Sequence, residues 1–193
     1  MKNLREKMTD SSGFTLVEIA IVMVIIGLLI GGVLKGQEMI KNAKIKRVVK
    51  TSDEVRAAIY TYQDRFGFFP GDDPDATTHT GDAGVRNGNG NGQIVAAEDE
   101  HVFEHLATVG LISGSAASYA AGNFPSHPFG GTYSVLWQNR NGRTANWITY
   151  TLVPVDVALA MDTSLDDGVF NDGSIRSSAA YTGTAAVTVY VDL

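Results

Sequence analysis

Residues 14–34 read FTLVEIAIVMVIIGLLIGGVL, an apolar run of 21 residues whose one charge is Glu18. About 20 apolar residues at 1.5 Å each span the hydrocarbon core of a bilayer as a helix, so this run is long enough to cross. An ionised side chain in hydrocarbon costs roughly 2.5–3.5 kcal/mol or more, which makes a lone intramembrane carboxylate a functional residue by default. Ahead of the run lies a short leader, with Lys2, Arg5 and Lys7 against Glu6 and Asp10, ending at Gly13. If the chain is cut after Gly13, the new α-amino group of Phe14 is a cation at the membrane depth of Glu18. A neighbouring copy displaced along the helix axis can then pair its amine with that carboxylate. Such a pair would set the stagger of a polymer.

Gly13-Phe14-Thr15-Leu16-Val17-Glu18 with its apolar tail resembles the processing site of type IV pilins and of the pseudopilins of type II secretion. The resemblance implies that a prepilin peptidase cuts between Gly13 and Phe14, that Phe14 is then N-methylated, and that Glu18 directs assembly. It implies a structural subunit of a pilus-like filament, with a secretion pseudopilin as the alternative; neither is an enzyme or requires a cofactor. The implied partners are other pilin subunits, an inner-membrane assembly platform with its cytoplasmic ATPase, and the membrane before assembly. The implied location is the inner membrane, single-pass with the head outside the cytoplasm, and then a pilus or periplasmic pseudopilus. An ordinary secretory signal has a shorter apolar core followed by its cleavage site. Here the cut precedes the apolar run.

The 193-residue chain leaves about 125–140 residues for one globular head once leader and membrane helix are set aside. It has no cysteine, so neither a disulfide nor a thiolate metal site is available. Charge is unevenly placed. Residues 35–50 hold Lys35, Lys41, Lys44, Lys46, Arg47 and Lys50 against Glu38 alone. From residue 51 onward there are six Arg, no Lys and seventeen acids, a net of −11. An acidic head argues against nucleic acid as a partner. By the positive-inside rule the basic stretch competes with the leader for the cytoplasmic side. The resemblance places the leader inside, which leaves the basic stretch to face anionic headgroups, acidic neighbours in a filament, or solvent.

Ile45, Val48, Ser52, Val55, Ile59, Tyr62 and Phe66 recur at three- and four-residue spacing, the stripe of an amphipathic helix continuing beyond the membrane segment. No proline falls between Phe14 and Phe69, and Pro70-Gly71 is expected to end the helix. Gly27, Gly31, Gly32 and Gly36 weaken it at ~1 kcal/mol each relative to Ala, and their Gly-x-x-x-Gly spacings permit close helix–helix approach. Residues 72–92 read as loop and 98–111 as a short helix. Strands are expected at 132–138, 146–153 and 185–191, where aromatic and β-branched residues gather. The expected class is α+β, a long stalk helix packed on a small antiparallel sheet. The segments are a leader at 1–13, a filament-core helix at 14–34, its amphipathic continuation at 35–69 and a head at 70–193.

Two loops are candidate calcium sites. Counted from Asn87, side-chain oxygens fall at positions 1, 3 and 5 (Asn87, Asn89, Asn91), with Gly92 at 6, Gln93 at 7 and Glu98 at 12, a calcium-loop spacing with neutral amides replacing most carboxylates. The resemblance points to a second loop near the C-terminus, with Asp162, Asp166, Asp167 and Asp172 as candidates. Tight turns capped by Asn and Asp give the same composition without metal. His101-Val102-Phe103-Glu104-His105 matches H-x-x-E-H, an inverted zinc-peptidase pattern, and keeps a membrane-anchored zinc peptidase as a remote alternative. No third ligand is evident. His79 and His127 lie in loops beside Thr and Pro, without a partner in the sequence pattern.

Overall fold

The computed structural model describes residues 13–193, so the expected leader at 1–13 lies outside the described residues in all but Gly13. Helix α1 runs unbroken over Leu16–Phe66. It starts where Thr15 and Glu18 exchange bonds. The Glu18 carboxylate accepts from the Thr15 amide and hydroxyl, both at 2.8 Å, and the Thr15 hydroxyl accepts from the Glu18 amide at 3.2 Å. This is a capping box, Thr-x-x-Glu, which satisfies amides that the first helical turn leaves open. Gly27, Gly31, Gly32 and Gly36 are all helical, and nothing occupies the space their Cβ atoms would take. The helix stops at Gly67, not at Pro70 as expected. Gly67 takes φ 84°, and its amide closes on the Gln63 carbonyl at 2.7 Å. A left-handed residue at that position is natural only for glycine.

The chain divides into two compact units, the first ending at Asn42 and the second running over Ala43–Leu193. In the first, the apolar side chains of α1 are uncovered, with Leu16 85% and Leu28 73% exposed. The helix is long and apolar enough to cross a membrane. In the second unit one stripe of α1 is covered. Val48, Ser52, Val55, Ile59 and Tyr62 are buried, and Ile45 and Phe66 pack at the margins of the core.

Opposite that stripe lies a four-stranded antiparallel sheet of β1 (Tyr133–Arg140), β2 (Arg143–Val153), β3 (Ile175–Ser177) and β4 (Val187–Asp192), in the order β1-β2-β4-β3. The expected strands are present with shifted ends, and β3 is an addition too short to show a pattern. Asn141 and Gly142 take φ 48° and 87°, the two-residue turn that an Asn-Gly pair favours, and so extend β1 and β2 toward each other. β2 pairs with β4 and not β3, and between β2 and β3 in the chain runs a helix, Val155–Leu165, that the sequence does not announce. Its Val155, Val157, Ala158 and Met161 enter the core. Val135, Ile148, Tyr150, Val189 and Val191 give the sheet's covered face, and each such side chain contributes roughly 1.5–3 kcal/mol by burial. The Ser52 hydroxyl and Tyr150 phenol bond at 2.8 Å, and Arg56 donates to the Asp192 carbonyl at 2.6 Å, fixing the helix on the sheet. In chain order the helices are α1, α2 (Ala76–Thr80), α3 (Asp99–Thr108), α4 (Ala116–Ala120) and α5 (Val155–Leu165).

Candidate functional site

At the N-terminal motif, Gly13 and Phe14 precede α1 in non-helical backbone, and Phe14 is 82% exposed. The bond between them is uncovered. Glu18 sits in the first turn of α1 with its carboxylate turned back to Thr15. That bonding caps the helix, and the Thr15-x-x-Glu18 spacing is a sequence signal for it.

The first calcium candidate is organised around carboxylates. Asp72, buried, accepts the Asn91 amide at 3.0 Å on one oxygen and the Gly92 amide at 2.6 Å on the other. Glu98 accepts the Asn89 amide at 3.2 Å, the Asn89 side-chain NH2 at 2.6 Å and the Val95 amide at 3.2 Å. The side-chain oxygens of Asn87, Asn89 and Asn91 accept the Thr77, Asn91 and Gln93 amides respectively. Gln93 contributes through its backbone amide. Donors thus converge on anions, the reverse of an oxygen cage around a cation. Asp73 beside it is fully buried and accepts from the Tyr62 phenol at 2.8 Å and the Asp75 amide at 2.9 Å, with His79 Nδ1 at 2.7 Å. Burial is the largest influence on the Asp73 carboxyl and pushes its pKa up. The bonds from His79, Asp75 and Tyr62 outweigh it and hold the group below its ordinary value. This network closes the 71–92 loop on the end of α1 where no disulfide exists.

His79, expected in a loop, lies in α2, while His127 lies in a loop as expected, and both have partners. His79 faces Asp73, and His127 Nε2 donates to the Thr151 carbonyl at 2.7 Å. They belong to tertiary contacts across 6 and 24 residues, which no local pattern displays.

In the H-x-x-E-H segment, His105 is fully buried, with its Nδ1 accepting the Gly71 amide at 3.0 Å and its Nε2 donating to the Arg86 carbonyl at 2.7 Å. Both ring nitrogens are spent, and burial pushes the imidazole down to about 4, so it is neutral at pH 7. Glu104 is tied to Arg86 at 3.1 Å. Partners from outside α3, Gly71 and Arg86, thus use both nitrogens of His105, which has no lone pair left for a zinc ion shared with His101; the His101 Nδ1 is buried without a hydrogen-bond partner among the described residues.

The second calcium candidate is brought together in part. Oxygens of Asp162, Asp166 and Asp167 lie within 4.8 Å of one another where α5 ends. Asp162 is buried, accepts the Tyr181 phenol at 2.6 Å and the Gly168 amide at 3.1 Å, and has a raised pKa, chiefly from desolvation. Asp166 binds the Ser174 and Ile175 amides, and Asp167 accepts the Val169 amide at 2.8 Å. Asp172 turns away, 3.6 Å from Arg176. Three clustered carboxylates are a hard-oxygen donor set and fit a divalent cation by chemistry.

Compared with known proteins, the chain matches one family model, the prokaryotic N-terminal methylation motif, over residues 8–34. No curated protein and no solved structure matches it. The matched segment joins the Gly13–Phe14 bond, Glu18 and the uncovered apolar turns of α1. The chain therefore carries the hallmark of the prepilin-type proteins, the type IV pilins and pseudopilins, on a pilin-like α+β fold.

Proposed function

We propose that the chain is a structural subunit of a type IV pilus-like filament, cut between Gly13 and Phe14, methylated on Phe14 and polymerised through α1. The observation that carries this is the conjunction of the methylation motif with a 51-residue helix whose apolar first half has no cover among the described residues. Side chains of that kind lie in lipid or against other helices, and removing them from water contributes about 25 cal/mol per Å². Membrane insertion with the head exported precedes assembly in this reading, and Glu18 pairs with the freed amine of a neighbour. The chain's chemistry is assembly and not catalysis, a reading supported by His105, whose two ring nitrogens are both bonded. Mass spectrometry of the matured protein tests it: the expected first residue is N-methylated Phe14, and any other N-terminus overturns the reading.

The same fold serves a secretion pseudopilin, and the Asp162, Asp166 and Asp167 cluster favours that variant through the calcium loop of the resembling proteins. Loss of a secreted protein on deletion would select it, whereas long surface fibres on overexpression would select a pilus. Within either reading we propose that these three carboxylates hold a divalent cation such as calcium, which would screen their mutual repulsion. A cation at about 100 times its Kd stabilises by about 2.7 kcal/mol. EDTA is then expected to lower the Tm of the detergent-solubilised chain by about 5–10 °C, with recovery on adding calcium. An unchanged Tm in both conditions removes the metal.

A further inference from the structure

Two features of the second unit are used by nothing described above. The first is on α1. Val48 and Ser52 are buried in the core, while Lys46 and Lys50 on the opposite side of the same turns are exposed. Lys50 and Arg47 share the single carboxylate of Glu54, at 3.3 and 3.6 Å, which leaves this face in positive excess. The second is a cleft of about 410 Å³ between the Asp82–Val85 turn and α4. Its apolar wall is the methyl groups of Ala116, Ala117, Ala120 and Ala121, and its polar groups include Asp82 and Glu104. Arg86 is the cation that pairs with carboxylates here, bonding Glu100 and Glu104, each at 3.1 Å. Asp82 accepts the Gly84 amide at 2.8 Å. Asp99 beside them is pushed up to about 6, first by burial and then also by the Glu100 charge. Glu100, Glu104 and Asp99 surround the Arg86 guanidinium, and with Asp82 on the cleft wall they leave this region in negative excess.

We infer that the alanine-walled cleft is a socket for a lysine of a second copy of the chain, Lys46 or Lys50 of its α1. The four-carbon stem of a lysine covers methyl groups while its ammonium seeks acceptors, which matches a wall of alanines ending in Asp82 and Glu104. Complementary charge on the same chain points to another copy as the occupant. Lipid headgroups fit less well, because Lys46 and Lys50 stand on turns whose other face is sealed in the head core. The inference rests on the filament reading and assigns that filament a specific contact.

The absence of cysteine makes the contact testable by engineered thiols in the full chain. Filaments of a chain carrying Lys50→Cys with Asp82→Cys, or Lys46→Cys with Asp82→Cys, are expected to give an oxidised ladder of multimers that neither single variant gives. Lys46→Glu with Lys50→Glu is expected to lower fibre yield about 10-fold at unchanged Tm, and adding Asp82→Lys to restore it. Fibres with no ladder from either pair overturn the socket, as does normal fibre yield from the double reversal. If the reversal spares fibres but abolishes binding to phosphatidylglycerol vesicles, the ligand is a headgroup and the inference fails. Wild-type chain that forms no fibre, with Phe14 unmethylated, defeats the filament reading itself, a distinct result.

Discussion

Glu18→Ala and Glu18→Gln are each expected to lower filament yield by about 100-fold. Leaving the neighbour's amine unpaired in hydrocarbon costs roughly 2.5–3.5 kcal/mol, and each 1.4 kcal/mol is tenfold. The pair of variants is informative because of what Glu18 does inside its own chain. Its carboxylate caps Thr15 at 2.8 Å, and a capping box accepts Gln as well as Glu. Loss of the cap alone costs about 0.5–2 kcal/mol and would appear in Glu18→Ala but not in Glu18→Gln. Sedimented fibre, measured against membrane-retained subunit, decides between the roles. Wild-type yield from Glu18→Gln would show that Glu18 serves as a helix cap, and the charge pair between copies would be withdrawn.

Gly88→Ala is expected to destabilise the head by about 3–5 kcal/mol, or a Tm lowered by roughly 10–20 °C. A Cβ there would stand 2.4 Å from the Gly71 oxygen and 2.4 Å from the Asp72 carbonyl carbon, both backbone atoms that cannot swing aside. Moving them pulls apart the bonds that close the loop, Gly88 N–H to the Asp73 carbonyl at 2.8 Å and Gly90 N–H to the Asp72 carbonyl at 2.7 Å. The buried carboxylates of Asp72 and Asp73 would lose their donors, and a buried charge without partners is the expensive outcome. Gly92→Ala is the control. It has φ 82° but open space at its Cβ, so it meets only the left-handed penalty of about 1–2 kcal/mol. Thermal unfolding of both variants in detergent should separate them clearly; equal Tm values would mean the loop yields and the network adds little.

The long helix was legible because its evidence is local and periodic. Apolar residues fill 14–34, and a three-and-four spacing follows from Ile45 to Phe66. The stop at Gly67 was also written in the chain, but the eye falls on Pro70, whose missing amide is the louder signal. The Asn141-Gly142 hairpin and the Thr15-x-x-Glu18 box are likewise local signals carried by adjacent residues. Helix α5 was hidden for a different reason. Val155 and Val157 follow a Thr-rich strand with Pro154 between, and β-branched residues favour the extended reading until packing decides otherwise.

The candidate sites divide in the same way. Gly13, Phe14 and Glu18 lie within six residues, so the motif they form is legible in the sequence as one local pattern. The polar clusters did not yield to that treatment. Asn87, Asn89 and Asn91 carry the right oxygens at the right spacing, yet the fold brings Asp72 in from 19 residues away and turns amides toward it. His105 has the spacing of a zinc ligand, but Gly71 and Arg86 reach it from 34 and 19 residues away and use both nitrogens. Spacing states which atoms are available, and only the tertiary structure decides which of them meet a carboxylate, a carbonyl or a neighbouring chain, because donors and acceptors are satisfied by whatever the packed core brings within 3 Å.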